Sequence, residues 1–527
     1  MSLLAEPAAR FAALVPTPVS ATLTEGVWEL PEHPGVTGPA AWARTACRML
    51  ASCGAERTTD ATEAAGGALT LTRVDELTDG AYRLEVTAGG VTLAAGEEAG
   101  LVHGLRTFLQ LLDPGFGLPT ARPGLPRTVA CCRIEDAPRH AWRGAHIDVA
   151  RHFHPLPWLF AFVDTLAAHK FNVLHLHLTD DQGWRFEVPK HPRLTEVGAH
   201  RPGTIYPGMT EHDGIPRGGF YTQDQLRALV AHAAERGITI VPEVDVPGHV
   251  RALLAAYPEY GWGEGLPIAT HFDVLDEVLW LDDRALALVE DIYTDLLAVF
   301  PSEIIHIGGD ECPTTQWRDN PEADALAASR GLGGVEELQA WFTRHLRDWL
   351  AARGRRTLGW DEIVEGDDIE DVVVMSWRGV EPGRAALARG HEVVMAPCPL
   401  LYFDYHQSDG EDEPLARNPA RRWEDVVAFD PAEGVAEADR PRLLGVQGQA
   451  WSEFFTTVEH VEYMVWPRLC ALAEVAWSGP ADPAAFEPRL RAHVERLAAK
   501  AVNHRPLDGP HPWQAGGTGP WRRRPPR

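Results

Sequence analysis

The chain has 527 residues, 45% of them hydrophobic and 23% charged, which is an ordinary globular mixture; the length suggests two to four domains, or one large barrel with a smaller unit. Acidic side chains outnumber basic ones and leave a net charge of −27, which repels nucleic acid and anionic membranes. No apolar run of about 18 residues occurs to span a bilayer, and the seven cysteines include no CxxC pair of the kind found in zinc or disulfide frameworks.

The N-terminus, MSLLAEPAARFAALVP, lacks a basic start and carries Glu6 early, so it does not read as a secretory signal. A cytoplasmic location is expected, or a secreted one if a native leader is missing. Strands are expected at Tyr82–Thr87 and Val91–Ala95 and a one-sided apolar helix at Glu98–Leu112, giving a small α+β domain over residues 1–138. The Pro-rich stretch Pro114–Pro126 reads as its exit loop. From about residue 142 short apolar runs alternate with helical stretches. Strands are expected near Gly144–Val149, Val173–Leu178, Thr239–Val244, Ile304–Ile307, Arg356–Trp360, Val372–Ser376, Glu392–Ala396 and Leu443–Gly448. Helices between them include Pro155–His169, Asp224–Arg236, Asp283–Val299 and Val335–Arg353, with a closing helical region at Val458–Ala501. This alternation predicts an α/β fold, a (β/α)8 TIM barrel over residues 139–505, followed by an irregular tail at 506–527. A doubly wound open sheet is the alternative, but no GxGxxG or GxxxxGK[ST] phosphate loop is present. The basic run Arg522–Arg524 and the acidic run Asp409–Glu413 read as solvated segments.

Barrel enzymes gather their working groups at the C-terminal ends of the strands. Here those ends carry Asp148 and Arg151, then Asp180-Asp181, then Glu243, Asp245 and His249, then Asp310-Glu311. Trp360-Asp361-Glu362, Trp377-Arg378, Tyr402 with Asp404, and Trp451 with Glu453 follow. Carboxylates accept hydrogen bonds from hydroxyls, and indole faces cover the apolar face of a sugar ring. The mouth therefore suits a neutral polyhydroxylated ligand better than a phosphorylated one. Consecutive side chains on a strand point to opposite faces, so Asp310 and Glu311 share a pocket only if the chain bends; Gly308-Gly309 supplies that freedom. The competing reading is a pair of acids favoured at a helix N-terminus before Pro313.

His306-Ile307-Gly308-Gly309-Asp310-Glu311 resembles the hallmark of the β-N-acetylhexosaminidases of glycoside hydrolase family 20. In chain order, Asp148–Phe153, His175–Arg185, Pro242–His249, Gly359–Glu362 and Ser376–Gly379 are also similar to that family's motifs. The resemblance implies an enzyme without a metal or cofactor that acts on carbohydrate, hydrolysing terminal N-acetyl-β-hexosaminides with assistance from the substrate's own acetamide. It assigns Glu311 as acid and base, Asp310 to the acetamido N–H and Tyr402 to the acetamido oxygen. Trp360, Trp377 and Trp451 would wall the acetamide slot. Arg151, Asp404 and Glu453 would bind hydroxyls, with Asp180 and His249 as a relay behind the acid. A general acid has to be protonated near neutral pH, so the apolar walls and the Asp310 charge are expected to raise the pKa of Glu311. The acidic run after Tyr402-Phe403-Asp404 departs from the family pattern and is expected to narrow the site or to shift which aglycone fits.

Two rival readings remain. His175 and His177 form an HxH on an early strand, as in metal-dependent amidohydrolase-type barrels, with His249 and Asp310 as further ligands. A sugar-binding barrel without catalysis is the non-enzymatic alternative, and the presence of Asp310, Glu311 and Tyr402 argues against it. Only three of the 48 basic residues are lysine, which points to a GC-rich bacterial coding sequence.

Overall fold

The computed structural model describes residues 4–31, 34–51, 69–112, 128–262, 265–365 and 369–515. The expected exit loop Pro114–Pro126 and the basic run Arg522–Arg524 lie outside these residues. The N-terminal unit is a six-stranded sheet in the order Ser20–Glu29, Thr128–Asp136, Tyr82–Thr87, Gly90–Ala95, Leu69–Arg73, Val36–Thr37. Alternate residues of Tyr82–Thr87 are buried, as expected when one sheet face is covered and the other is wet. The covering layer is the helices Ala40–Ala51 and Glu98–Leu112, and their Trp42, Leu101, Leu105 and Phe108 share one apolar core with Tyr82, Leu84 and Val86.

The larger unit is a closed parallel barrel of eight strands. We label them β1 (Trp142–Asp148), β2 (Val173–His177), β3 (Thr239–Glu243), β4 (Ile304–His306), β5 (Arg356–Trp360), β6 (Val372–Ser376), β7 (Glu392–Met395) and β8 (Leu443–Gly448). The order runs β3 to β8, then β1 and β2, which closes the ring without an edge. Strands buried on both faces read as continuous apolar runs, which is why Val372–Ser376 shows no alternation. The connecting helices stop and start on local chemistry. Thr222 closes a capping box with Gln225 at the head of Gln223–Ala234, and Asp282 accepts from Arg284 N and Ala285 N at the head of Asp283–Val299.

Register carries chemistry. Asp148 on β1 pairs with His177 on β2, His177 with Glu243 on β3, and Glu243 with His306 on β4. Four polar residues thus lie at one level, at the end of the barrel where its loops gather. No helix among the described residues is long and apolar enough to cross a membrane.

Candidate active site

Glu243 lies at the centre of the barrel floor. Its carboxylate sits 2.5 Å from His177 Nδ1, 3.0 Å from His175 Nε2 and 3.0 Å from His306 Nδ1, and it accepts from Trp360 Nε1 at 2.9 Å. Burial would raise its pKa; the surrounding imidazoles outweigh that and hold the carboxylate well below its ordinary range. His177 spends its other nitrogen on Asp180 at 2.7 Å, and the Nδ1 of His175 faces Gln447 Nε2 at 2.9 Å. Three of the four nitrogens of the HxH pair are hydrogen-bonded inside the protein, and the fourth, His175 Nε2, lies against the Glu243 carboxylate. A metal bound there would have to displace the network that supports the floor, so the donor set does not fit the amidohydrolase-type reading.

Above this floor is a cavity of about 150 Å³. Asp310 and Glu311 border it at one end, Trp377, Tyr402 and Trp451 wall it, and Arg151, Asp404 and Glu453 complete the ring expected from the sequence. The turn after β4 makes the convergence possible. Gly308 (φ +70°), Gly309 (φ +91°) and Glu311 (φ +45°) all adopt left-handed backbone. A Cβ on Gly308 would lie 1.8 Å from Asp245 Oδ1, which also accepts from Gly309 N at 2.9 Å. As a result both acids face one nitrogen: His249 Nε2 is 3.7 Å from Asp310 Oδ2 and 3.6 Å from Glu311 Oε2. No helix begins here; the next one starts at Pro321, so the helix N-terminus reading of the acid pair fails.

Electrostatics separate the two acids. Burial, with the charge of Asp245 next, pushes Asp310 well above the usual carboxylate range, and burial pushes Asp245 itself up to about 7. Two carboxyl groups this close in a dry site favour sharing a proton. Glu311 moves the other way. Its contact with His249 comes first and holds its pKa below the ordinary value, against a smaller opposing effect of burial. This corrects the expectation of a raised pKa in the free protein. The Glu311 side chain is 38% exposed, and the nearest charge it meets is cationic. Burial alone would lower His249, but Asp180, Asp181 and Glu311 together outweigh it and hold the imidazolium well above its ordinary value. His249 Nδ1 lies 3.2 Å from Asp181 Oδ2 and 3.4 Å from Asp180 Oδ1.

Three predicted residues sit behind the wall and outside the cavity lining: Asp180, His249 and Trp360. Asp180 pairs with Arg151 at 2.8 Å, and Arg151 lies over the Trp451 ring at 5.0 Å. Trp360 is buried with its ring 5.7 Å from that of Trp451. Trp377 stacks against Tyr402 with centroids 6.1 Å apart, and its indole N–H donates to Glu362 at 2.9 Å.

Cys398, Tyr405 and Arg417 also line the cavity, and sequence reasoning missed all three. Arg417 bridges Asp404 at 3.0 Å and Glu453 at 2.6 Å. It arrives because the chain after Asp404 folds back, joining Tyr405 and Arg417 in an isolated bridge, with Arg417 N donating to Asp404 O. Burial, with the charge of Glu453 next, pushes Asp404 up to about 7. The acidic run between Asp404 and Arg417 behaves only partly as expected. Asp409, Glu411 and Asp412 are exposed, whereas Glu413 is buried against Arg505 at 2.7 Å and Tyr463 Oη at 2.7 Å. Its end is tied to the protein body, and none of its residues borders the cavity.

The profile described as "Glycosyl hydrolase family 20, catalytic domain" matches residues 140–480, and "Glycosyl hydrolase family 20, domain 2" matches residues 12–137. The chain is 37% identical over 444 residues to a β-hexosaminidase of Porphyromonas gingivalis, covering 83% of this chain and 56% of that protein. It is 36% identical over 418 residues to a β-hexosaminidase of Vibrio furnissii, covering 75% of this chain and 65% of the relative. The chain thus spans less than two thirds of either relative's length. Among solved structures, the exo-β-N-acetylglucosaminidase of Vibrio harveyi in complex with N-acetylglucosamine superposes with a TM-score of 0.84 at 31% identity, over 94% of this chain and 78% of that one. A barrel that carries this acid pair at the end of β4, and that matches the catalytic profile over most of its length, belongs to glycosyl hydrolase family 20.

Proposed function

We propose that the protein is an exo-acting β-N-acetylhexosaminidase that removes terminal N-acetylglucosamine or N-acetylgalactosamine by a retaining, substrate-assisted reaction. The observation that carries this reading is the side-by-side placement of Asp310 and Glu311 on one turn, both facing His249. A nucleophile and an acid that work across a glycosidic bond sit about 5–5.5 Å apart on opposite sides of it. Neighbours on one turn are better suited to serving the substrate's amide and its leaving oxygen together.

In this reading the sugar occupies the cavity of about 150 Å³, on the scale of one ring, which favours attack at a chain end. The indoles of Trp377 and Trp451 and the ring of Tyr402 hold the acetamide, and buried Trp360 backs them. The acetamido oxygen attacks the anomeric carbon as the C–O bond to the leaving group breaks, and Glu311 gives its proton to the departing oxygen. With the proton of the pair resting on Asp245, the Asp310 carboxylate accepts from the acetamido N–H and stabilises the positive charge of the oxazolinium; Tyr402 donates to the acetamido oxygen and holds it on line. Glu311 then takes a proton from water as that water opens the oxazolinium at the anomeric carbon, giving the retained β-hemiacetal. Asp404, Glu453 and Arg151 bind ring hydroxyls, with Arg417 sharing the carboxylates. His249 and Asp180 position Glu311 from behind. Because the cation of His249 holds Glu311 ionised in the free protein, proton loading of the acid goes together with the drying of the site by bound sugar.

The test is a panel of 4-nitrophenyl glycosides. The N-acetyl-β-gluco and N-acetyl-β-galacto forms should be hydrolysed with initial release of the β-anomer. The 2-hydroxy and 2-amino analogues should react at least about 10²-fold more slowly, because proximity of the acetamide is lost. Equal rates on plain glucosides, or a covalent glycosyl ester on the polypeptide, would overturn the proposal.

A further inference from the structure

Far from the catalytic cavity, three chain segments bring two histidines and a cysteine together. His169 ends the helix Leu156–Ala168, Cys470 lies on Arg468–Trp477, and His493 lies on Pro483–Ala499. Their relative exposures are 1%, 0% and 0%. His169 Nδ1 lies 2.8 Å from the carbonyl oxygen of Thr165, and His493 Nδ1 lies 3.1 Å from that of Ala13. A carbonyl only accepts, so both Nδ1 atoms carry the ring proton and both Nε2 atoms carry the lone pair. Yet the two Nε2 atoms face each other at 2.9 Å, with Cys470 Sγ 3.5 Å from His169 Nε2.

Two lone pairs at that distance repel unless a cation lies between them. A proton is one such cation and a metal ion is the other; the sulfur beside the two nitrogens makes this a set of three buried ligand atoms within 4.8 Å of one another, which is a metal-binding arrangement. Imidazole with Nδ1–H donated to a carbonyl is also the usual posture of a metal-binding histidine, because the carbonyl fixes the tautomer and aims Nε2. Tetrahedral Zn–N bonds of about 2.0–2.1 Å and Zn–S bonds of about 2.3 Å place ligand atoms about 3.3 Å (N to N) and about 3.5 Å (N to S) apart. The sulfur distance fits, and the nitrogens need to part by a few tenths of an ångström.

We propose that His169, Cys470 and His493 form a structural binding site for a thiophilic d10 cation, Zn²⁺ or Cu⁺. Binding replaces the S–H bond of Cys470 with an S–metal bond, the proton leaves to solvent, and no electron changes hands. Burial pushes the free thiol well above its ordinary pKa, so metal coordination is what deprotonates it. Cu⁺ with one thiolate is neutral as a centre, whereas Zn²⁺ leaves one positive charge in a dry site. Charge therefore favours Cu⁺, and Zn²⁺ is favoured by the nearly tetrahedral spacing. The ion would tie the barrel helices to the N-terminal segment that carries Ala13.

The experiment uses the full chain, grown in minimal medium supplemented with zinc or with copper, passed through EDTA and desalted, then assayed for metal by mass spectrometry. One equivalent of one of the two ions is expected in the wild type and less than a tenth of that in Cys470→Ala, with kcat on an aryl N-acetylglucosaminide within twofold. Refolding with Co²⁺ should give a near-ultraviolet thiolate-to-cobalt band that Cys470→Ser lacks. Serine keeps the volume, so this variant serves if the alanine one folds poorly. Absence of stoichiometric metal from the wild type in both media, or equal metal in wild type and variants, would overturn the proposal.

Discussion

Glu311 shows how one neighbour reverses an expectation drawn from composition. Apolar walls and an adjacent Asp argue for a raised pKa, but 3.6 Å from its carboxylate stands His249, which Asp180 and Asp181 keep protonated. If Glu311 is the acid, Glu311→Gln should lower kcat on an unactivated disaccharide about 10²–10⁴-fold. The loss on a nitrophenyl substrate should be smaller, because that leaving group departs without a proton. Near-normal turnover of the disaccharide would remove Glu311 from the role. Asp245 offers a second test through pH. Its pKa in the fold, about 7, lies above that of a free carboxyl, about 3.9. Such a group contributes stability that is complete below its unfolded pKa and is lost as pH rises through its folded one. Asparagine cannot ionise and keeps an oxygen for Gly309 N. The melting temperature of Asp245→Asn relative to wild type should therefore rise by a few degrees between pH 5 and pH 8. A difference that stays constant over this range would show that Asp245 does not titrate there.

At the scale of elements, the turn Gly308–Glu311 sets the site more than any strand does. Strands and helices were legible because their periodicities differ, and the expected ends of the strands fall within about two residues of the observed ones. The bend was legible too, since only glycine adopts those backbone angles next to a packed carboxylate. Gly308→Ala should fold, because the turn lies at the barrel mouth, but its Cβ would displace Asp245 and with it Asp310. A fall in kcat/KM of about 10²-fold with unchanged far-ultraviolet circular dichroism is expected; wild-type kinetics would show that the turn tolerates a side chain. Arg417 was not legible. It lies in the same connection as Tyr402 and Asp404, but only the fold-back that pairs it with Tyr405 brings it to the cavity, and no local pattern marks a fold-back of that kind. Likewise His175 and His177 read as ligand-like from spacing alone, while Glu243, which engages both, comes from a different strand.

At the scale of the whole molecule, the two units meet at a buried cation. Lys170 Nζ lies 2.8 Å from Asp136, 3.1 Å from Tyr82 Oη and 4.1 Å from the centre of the Trp477 ring. Asp136 and Tyr82 belong to the N-terminal sheet, and Lys170 and Trp477 to the barrel. Removing one member of a buried pair leaves the other charge uncompensated, at a cost of about 3–5 kcal/mol. Lys170→Met should therefore lower the calorimetric melting temperature by several degrees while kcat stays within twofold, since the contact is remote from the cavity. An unchanged transition would show that the interface does not depend on this pair.

Legible from the residues alone are the alternation of strands and helices, the level at which the candidate site residues gather, and the glycine bend that sets Asp310 beside Glu311. These follow from local periodicity and backbone sterics, which any short stretch of chain carries within itself. The charge state of Glu311, the arrival of Arg417 and the use of the HxH histidines as supports come from the folded chain. Each of these depends on side chains that no local pattern pairs, brought together by the fold, where a contact of a few ångströms outweighs local preference.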